Sequence, residues 1–238
     1  MQEIITPGEP PSPRPLHFIW ILDCSGSMRA NGKIQALNWA IHEATPHMQS
    51  TARSNPDAQM LVRALKFADV PEWHVEEPTP VDTFAWSDVT ARGATALGAA
   101  LKVVAEQLRM PPMEQRALQP VLALISDGDP TDEWEEGLVA IEREQWGRRA
   151  LRVAIAIGDD ANRDVLARFM GETAQFDPLK ANNPEALVQM IRWVSTSLVN
   201  AASQPQPRRE PGTESGLGIP PEFVPDTSAP TVWGRLDT

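Results

Sequence analysis

Acidic side chains directly follow two of the most apolar segments of the chain. Residues 16–22 form an almost wholly apolar run that is followed by Asp23, and residues 120–125 form a second run that leads to Asp127. Short, continuous apolar runs are typical of strands buried on both faces of a parallel sheet. If the two strands are neighbours, Asp23 and Asp127 face one small volume. Two carboxylates in one volume repel each other unless a proton or a cation intervenes. The pattern therefore indicates a cation site.

Hydroxyl groups accompany the first of these carboxylates. Ser25 and Ser27 follow Asp23 at alternate positions, so both hydroxyls project toward the same place, and Gly26 allows a sharp turn of the backbone. A set of carboxylate, hydroxyl and water oxygens, without imidazole or thiolate, suits a hard octahedral cation. The predicted cofactor is therefore Mg²⁺ or Mn²⁺.

The elements that must position these groups alternate between strands and helices. Buried strands are predicted at residues 16–22, 120–125 and 151–157, and an alternating strand is predicted at 60–67. Other predicted elements are an edge strand within residues 73–84, a charged helix over 132–146, a final strand at 174–176 and a last helix from Pro184. Strands that alternate with helices predict an α/β fold with a mainly parallel sheet and helices on both faces.

The chemical residues also resemble a known family. The spacing of Asp23, Ser25 and Ser27 resembles the metal-ion-dependent adhesion site (MIDAS) of von Willebrand factor type A (vWA) domains. That family also needs a threonine from the next loop and an aspartate after the fourth strand. The run at residues 92–98 looks like the threonine loop, and the run at 125–128 looks like the aspartate loop.

The resemblance covers about residues 16–199, and it implies both a topology and a set of ligands. The implied fold is a doubly wound, Rossmann-like sheet of six strands in the order 3-2-1-4-5-6, which makes the first and fourth strands neighbours. The residues implied to bind the metal directly are Ser25, Ser27 and Thr95, with Asp23 and Asp127 acting directly or through water.

Three runs, at residues 93–101, 126–134 and 191–197, give a closer resemblance to bacterial TerY-like vWA proteins of the tellurium-resistance type. Such proteins are small, cytosolic and not themselves enzymes, and they are typically encoded with a protein kinase and a PP2C-type phosphatase. The chain departs from that pattern at Ala94, where glycine is usual, and in residues 71–80. It also lacks a cysteine-rich C-terminal metal module.

Proline-rich ends frame the predicted domain. We expect a proline-rich N-terminal segment at residues 1–15, a vWA domain at 16–200 and a proline-rich tail at 201–238. Apolar residues return within 219–236, which leaves two interpretations of the tail. It is either a linker end with scattered apolar residues, or an extended arm anchored by Phe223 and Trp233 on this domain or on a partner.

The composition excludes several classes of partner. The 238 residues carry a formal net charge of −11 and have no basic stripe, which argues against nucleic acid and anionic membranes. The apolar runs are far shorter than the ~20 residues that span a bilayer. The single cysteine, Cys24, excludes an intrachain disulfide and a cysteine-based zinc cluster. With no signal-like N-terminus, the sequence predicts a cytoplasmic protein.

Simpler roles compete for several groups near the site. We interpret Asp129 and Asp132 as helix-capping carboxylates rather than ligands. Asp159 and Asp160 are interpreted as solvated loop charges, although they could shape the rim of the site. Cys24 is interpreted as a small buried side chain.

Three functional hypotheses follow from the sequence. The first is a non-enzymatic, metal-dependent protein-binding module, in which an Asp or Glu of a partner completes the metal site. The second is a Mg²⁺ phosphohydrolase of the HAD type, but that chemistry wants an aspartate where this chain has Ser25. The third is a scaffold whose site is filled by an acidic residue of its own tail, namely Glu222, Asp226 or Asp237.

Overall fold

A six-stranded sheet forms the centre of the computed structural model, which describes residues 12–172, 174 and 176–198. The strands are β1 (Arg14–Asp23), β2 (Ala58–Phe67), β3 (Pro71–Pro80), β4 (Val121–Ser126), β5 (Leu151–Ile157) and β6 (Leu179–Ala181). Their order is β3-β2-β1-β4-β5-β6, and all neighbours are parallel except the antiparallel pair β2 and β3. The predicted α/β fold and the predicted strand order are both confirmed.

Helices cover both faces of this sheet. They are α1 (Lys33–Arg53), α2 (Leu97–Gln107), α3 (Trp134–Arg143), α4 (Gln145–Arg149), α5 (Arg163–Met170) and α6 (Pro184–Trp193). The central strand β1 supplies side chains to both layers, because successive residues of a strand point to opposite faces. Phe18 and Trp20 lie in the core with α1 and α6, whereas Ile19 and Ile21 lie in the core with α2, α3 and α5. A strand buried on both sides has to be apolar throughout.

The helices α2 and α3 approach each other unusually closely, and two glycines make this possible. A Cβ atom on Gly98 would lie 2.7 Å from the carbonyl oxygen of Glu133, and one on Gly137 would lie 2.5 Å from the carbonyl oxygen of Gly98. Real Cβ atoms essentially never come within 3.0 Å of such atoms. The first turn of α2 therefore packs backbone to backbone against α3.

Several element boundaries differ from the sequence-based expectation. The final strand predicted at residues 174–176 is wrong, because β6 is Leu179–Ala181. The charged helix predicted over 132–146 is divided at Glu144, whose extended backbone separates α3 from α4. β1 begins at Arg14, two residues before the predicted start. The edge strand predicted within 73–84 is present as β3, which is the antiparallel strand at the edge of the sheet.

The two ends of the chain, residues 1–11 and 199–238, lie outside the described residues, together with the predicted arm at 219–236. Within the described part of the chain, no helix is long and apolar enough to cross a membrane.

Candidate functional site

The parallel pairing of β1 with β4 brings the two predicted carboxylates to the same edge of the sheet. Leu22 lies opposite Ile125 in the register of the two strands, so Asp23 comes level with Ser126 and just before Asp127. Both carboxylates are almost completely buried. In open parallel sheets, ligands bind at the carboxyl ends of the strands where the strand order reverses, and β1 and β4 are such a pair.

Asp23 organises the loop that follows β1. One of its oxygens, Oδ1, accepts a hydrogen bond of 2.8 Å from the backbone N–H of Ser25. The other, Oδ2, accepts one of 2.6 Å from the hydroxyl of Ser126. Burial raises the pKa of Asp23, the hydrogen bonds from Ser126 and Ser25 partly offset this, and the nearby charge of Asp127 raises it further. Because both oxygens already have partners, this residue fixes the loop and is suited to act on a metal through water.

The hydroxyl groups and Asp127 form a continuous chain of oxygens. Ser25 Oγ lies 2.9 Å from Ser27 Oγ, and the Ser27 hydroxyl donates a 2.7 Å hydrogen bond to Asp127 Oδ1. A Cβ atom on Gly128 would lie 3.6 Å from Ser27 Oγ and 3.8 Å from Thr95 Oγ1. The Ser27 and Thr95 hydroxyl oxygens therefore both lie beside Gly128, whose lack of a side chain leaves space next to them.

The loop that carries Thr95 is tied to the loop after β1. The Gly26 N–H donates a 2.8 Å hydrogen bond to the Gly93 carbonyl, and the Arg92 N–H donates one of 2.7 Å to the Cys24 carbonyl. Asp69, which sequence reasoning did not single out, accepts a 2.9 Å hydrogen bond from the Ala94 N–H. The Thr95 hydroxyl thus comes to the site on a loop that is held from two sides.

Asp132 fixes the other end of the threonine loop. Its two oxygens accept hydrogen bonds of 2.8 Å from the backbone N–H groups of Gly98 and Ala99, in the first turn of α2. The prediction of a capping carboxylate is thus confirmed, although Asp132 caps α2 rather than the helix that follows it. Asp129 instead accepts a hydrogen bond from the side chain of Asn162, which caps α5.

Lys33 is a second residue near the site that sequence reasoning missed. Its side chain is 3% exposed, and its ammonium nitrogen lies 2.7 Å from Asp127 Oδ2 and 2.9 Å from Asp160 Oδ1. Burial opposes its charge, but the hydrogen bonds to Asp127 and Asp160 outweigh burial and place the pKa of Lys33 above its ordinary value. One signal was present in the sequence: a lysine just after Gly32 begins a helix, where the helix dipole disfavours a cation. Asp160, interpreted as a solvated charge, is one of its two partners.

Cys24 and the histidines take no part in the oxygen cluster. Burial raises the pKa of the Cys24 thiol to about 12, so it is a neutral, buried side chain at physiological pH, as predicted. The histidine contacts are His17 with Glu114, His42 with Asp88 and His74 with Ser87, while His47 lines a cleft beside α6.

The donor set fits a hard divalent cation. Three of the five predicted ligand residues offer hydroxyl oxygens, and the two carboxylates lie behind them, which is a set that oxygen-seeking cations accept. Among the described residues no group of three or more His, Cys, Asp or Glu side chains could hold a metal.

The fold is that of von Willebrand factor type A proteins. A von Willebrand factor type A structure from Catenulispora acidiphila matches with a TM-score of 0.56 and 15% identity, over 77% of this chain and 42% of that one. The ArnB paralog VWA2 from Sulfolobus acidocaldarius matches with a TM-score of 0.53 and 18% identity, over 76% of this chain and 45% of that one.

A third structure carries a metal. Proximal thread matrix protein 1 from the mussel byssus, with its MIDAS motif occupied by zinc, matches with a TM-score of 0.53 and 17% identity, over 78% of this chain and 46% of that one. The chain thus spans less than half the length of each of these three proteins. No protein-family model matches the sequence, and no curated protein matches it either.

We expect Asp132→Ala to lower the free energy of unfolding by about 0.5–2 kcal/mol, because two N–H groups at the start of α2 lose their acceptor. Urea unfolding measures this change. Glu133→Ala is the matched control, since it removes the same charge from an exposed neighbour, and it should shift the unfolding free energy by less than about 0.5 kcal/mol. Equal effects of the two substitutions would contradict the capping role.

Proposed function

We propose that this chain is a metal-dependent protein-binding module, and that it is not an enzyme. The observation that carries the proposal is the hydrogen-bonded chain of Ser25, Ser27 and Asp127 oxygens at the ends of β1 and β4, with the Thr95 hydroxyl close by at Gly128. The shared fold with vWA proteins, one of which has a zinc-occupied MIDAS motif, supports it further.

The proposed ligands divide into two groups. Ser25, Ser27 and Thr95 would bind a divalent cation directly, while Asp127 would contribute through Oδ1 and Asp23 through water. When bound, the cation would supply a Lewis-acidic position that accepts one further oxygen. A carboxylate from an Asp or Glu of a partner protein is suited to that position, because it brings the negative charge that the hydroxyl ligands lack.

The geometry gives little support to the phosphohydrolase alternative. Serine nucleophiles are typically activated by an imidazole base, but the Ser25 and Ser27 hydroxyls bond to each other, and Ser27 also bonds to Asp127; neither contacts a histidine among the described residues. The Cys24 thiol, with its pKa of about 12, is a poor nucleophile at neutral pH. A HAD-type mechanism also needs a second aspartate two residues after the first, and this chain has Ser25 at that position.

The finer parts of the proposal come from the sequence, through its donor chemistry for the cation and through the family resemblance for the partners. We propose Mg²⁺ or Mn²⁺ as the cation, and a protein kinase or a PP2C-type phosphatase as a partner, in a bacterial stress-response or defence system of the tellurium-resistance type. Cytoplasmic location stays a prediction. The alternative of a scaffold filled by its own tail depends on Glu222, Asp226 or Asp237, which all lie outside the described residues.

Calorimetry should detect one Mn²⁺ or Mg²⁺ bound per chain. Thr95→Val removes one proposed ligand while preserving the shape of the side chain, and we expect it to weaken binding about tenfold or more, as disturbance of a metal site typically does. Thr90→Val is the matched control, because Thr90 is exposed and lies outside the oxygen cluster. If Thr95→Val binds the metal as tightly as the control does, the assignment of Thr95 as a ligand is wrong.

Affinity capture should return a partner that depends on the metal. We expect a protein to be retained by the wild type and by Thr90→Val in Mn²⁺, and to be lost both with a chelator and with Thr95→Val. The reason is that the partner's carboxylate needs the cation to offset its repulsion from Asp127. Retention that survives the chelator would show that any interaction uses another surface.

Purified protein should not hydrolyse phosphate monoesters or nucleotides in Mg²⁺ or Mn²⁺, because both oxygens of Asp23, the residue that a HAD-type mechanism would use as nucleophile, are engaged in hydrogen bonds, and Ser25 stands where that mechanism needs its second aspartate. Release of inorganic phosphate measures this. If turnover requires the metal, disappears in Thr95→Val and persists in Thr90→Val, the protein is an enzyme and the proposal of a non-enzymatic binding module is wrong.

A further inference from the structure

A buried ammonium group lies against the proposed metal site. The Lys33 Nζ atom donates a 2.7 Å hydrogen bond to Asp127 Oδ2 and bonds of 2.9 and 3.0 Å to the two oxygens of Asp160. The side chains of Lys33 and Asp127 are 3% and 0% exposed, whereas that of Asp160 is 66% exposed. The buried part of this arrangement is therefore the pair of Lys33 with Asp127.

The fold makes a specific place for this ammonium group. Gly158, which follows β5, has a φ of +85°, and a Cβ atom there would lie 3.1 Å from Lys33 Cε and 3.2 Å from Lys33 Nζ. The same atom would lie 2.6 Å from Asp160 Oδ1. A residue with a side chain would therefore be strained in its backbone and would press on both partners. Lys33 is thus enclosed by the loops after β4 and β5, at the start of α1.

The position of Lys33 changes what Asp127 can offer to a metal. The ammonium group engages Oδ2, and the Ser27 hydroxyl engages Oδ1, so neither oxygen is free of a hydrogen bond. The ammonium also neutralises one of the two buried carboxylates, Asp23 and Asp127, that would attract a dication. In a buried site such charges are screened much less than at the surface.

We infer that Lys33 sets the affinity of the proposed metal site: its ammonium group, bound to Asp127, restrains divalent-cation binding by the free protein. This inference rests on the proposed function. A site restrained in this way holds its metal weakly until an additional carboxylate arrives, so metal retention and partner binding support each other.

Calorimetric binding of Mn²⁺ tests the inference directly. We expect Lys33→Met, which keeps the length of the apolar stem, to bind Mn²⁺ about 10–100-fold more tightly than the wild type, the size of effect that groups around a metal site exert. Lys180→Met is the matched control. Lys180 Nζ lies 2.5 Å from Asp159 Oδ1, and Asp159 is the residue next to Asp160 in the loop after β5. Losing Lys180 therefore removes the same charge but leaves the contact between Lys33 and Asp127 in place. The control should bind Mn²⁺ within about twofold of the wild type.

A second variant acts in the opposite direction. Asp160→Asn leaves the ammonium group with Asp127 as its one charged partner among the described residues, and we expect it to weaken Mn²⁺ binding several-fold relative to Asp159→Asn, which removes the same charge one residue away. This comparison keeps the test decisive if Lys33→Met, which leaves a buried carboxylate without its counter-charge, fails to fold. Thermal melts in a chelator establish which variants are folded.

The outcomes separate the inference from the function on which it rests. If Lys33→Met is folded and binds Mn²⁺ no more tightly than the wild type, the inference is overturned. If Lys33→Met is unfolded, equal binding by Asp160→Asn and Asp159→Asn overturns it. In both cases, Mn²⁺ binding by the wild type still upholds the metal site. Binding by Lys33→Met alone supports the inference and shows that the wild type is not a metal-dependent module. No binding by the wild type or by folded Lys33→Met overturns both.

Discussion

The repulsion between two buried carboxylates is the constraint around which this edge of the molecule is arranged. Parallel pairing of β1 and β4 forces Asp23 and Asp127 into one region, and both are removed from water. Burying a charge without compensation is costly. The surrounding groups offset that cost: a backbone N–H and a hydroxyl donate to Asp23, and a hydroxyl and an ammonium group donate to Asp127.

This arrangement explains why the site combines rigid and accessible parts. Asp23 is completely enclosed and has both oxygens engaged, so its contribution is to hold the loop. Ser27, in contrast, is exposed, and it connects the enclosed Ser25 to Asp127. The oxygens that would bind a cation are therefore held in place by the buried residues beneath them, which reduces the conformational entropy lost on binding.

Much of the fold could be predicted because the central strands are apolar without interruption. Residues 16–22 and 120–125 admit few other structures when they are bounded by polar turns, and their order follows from the resemblance in the motifs. The final strand could not be located in the same way. β6 has only three residues, and its signal is no stronger than that of the segment just before it.

Candidate site residues could be named where the sequence shows a motif, as at Asp23, Ser25 and Ser27 and, through the resemblance, at Thr95 and Asp127, but not where the fold brings residues together without a motif. Asp23, Ser25 and Ser27 are spaced along one strand end, which sequence reasoning can detect. Lys33 and Asp160 meet across two loops, and a lysine near a helix start does not by itself indicate which carboxylate it will contact. The acceptor role of Asp132 was similarly visible, but the helix that it caps was not.

The close packing of α2 on α3 has a consequence for how such proteins diverge. Thr95 lies just before α2, whose first turn is held by Asp132 and pressed against α3 at Gly98 and Gly137. A larger residue at either glycine would push the helices apart and carry the threonine with them. Descendants of this chain could thus keep every residue of the oxygen cluster and still lose its shape, so an intact motif is not the same as an intact site.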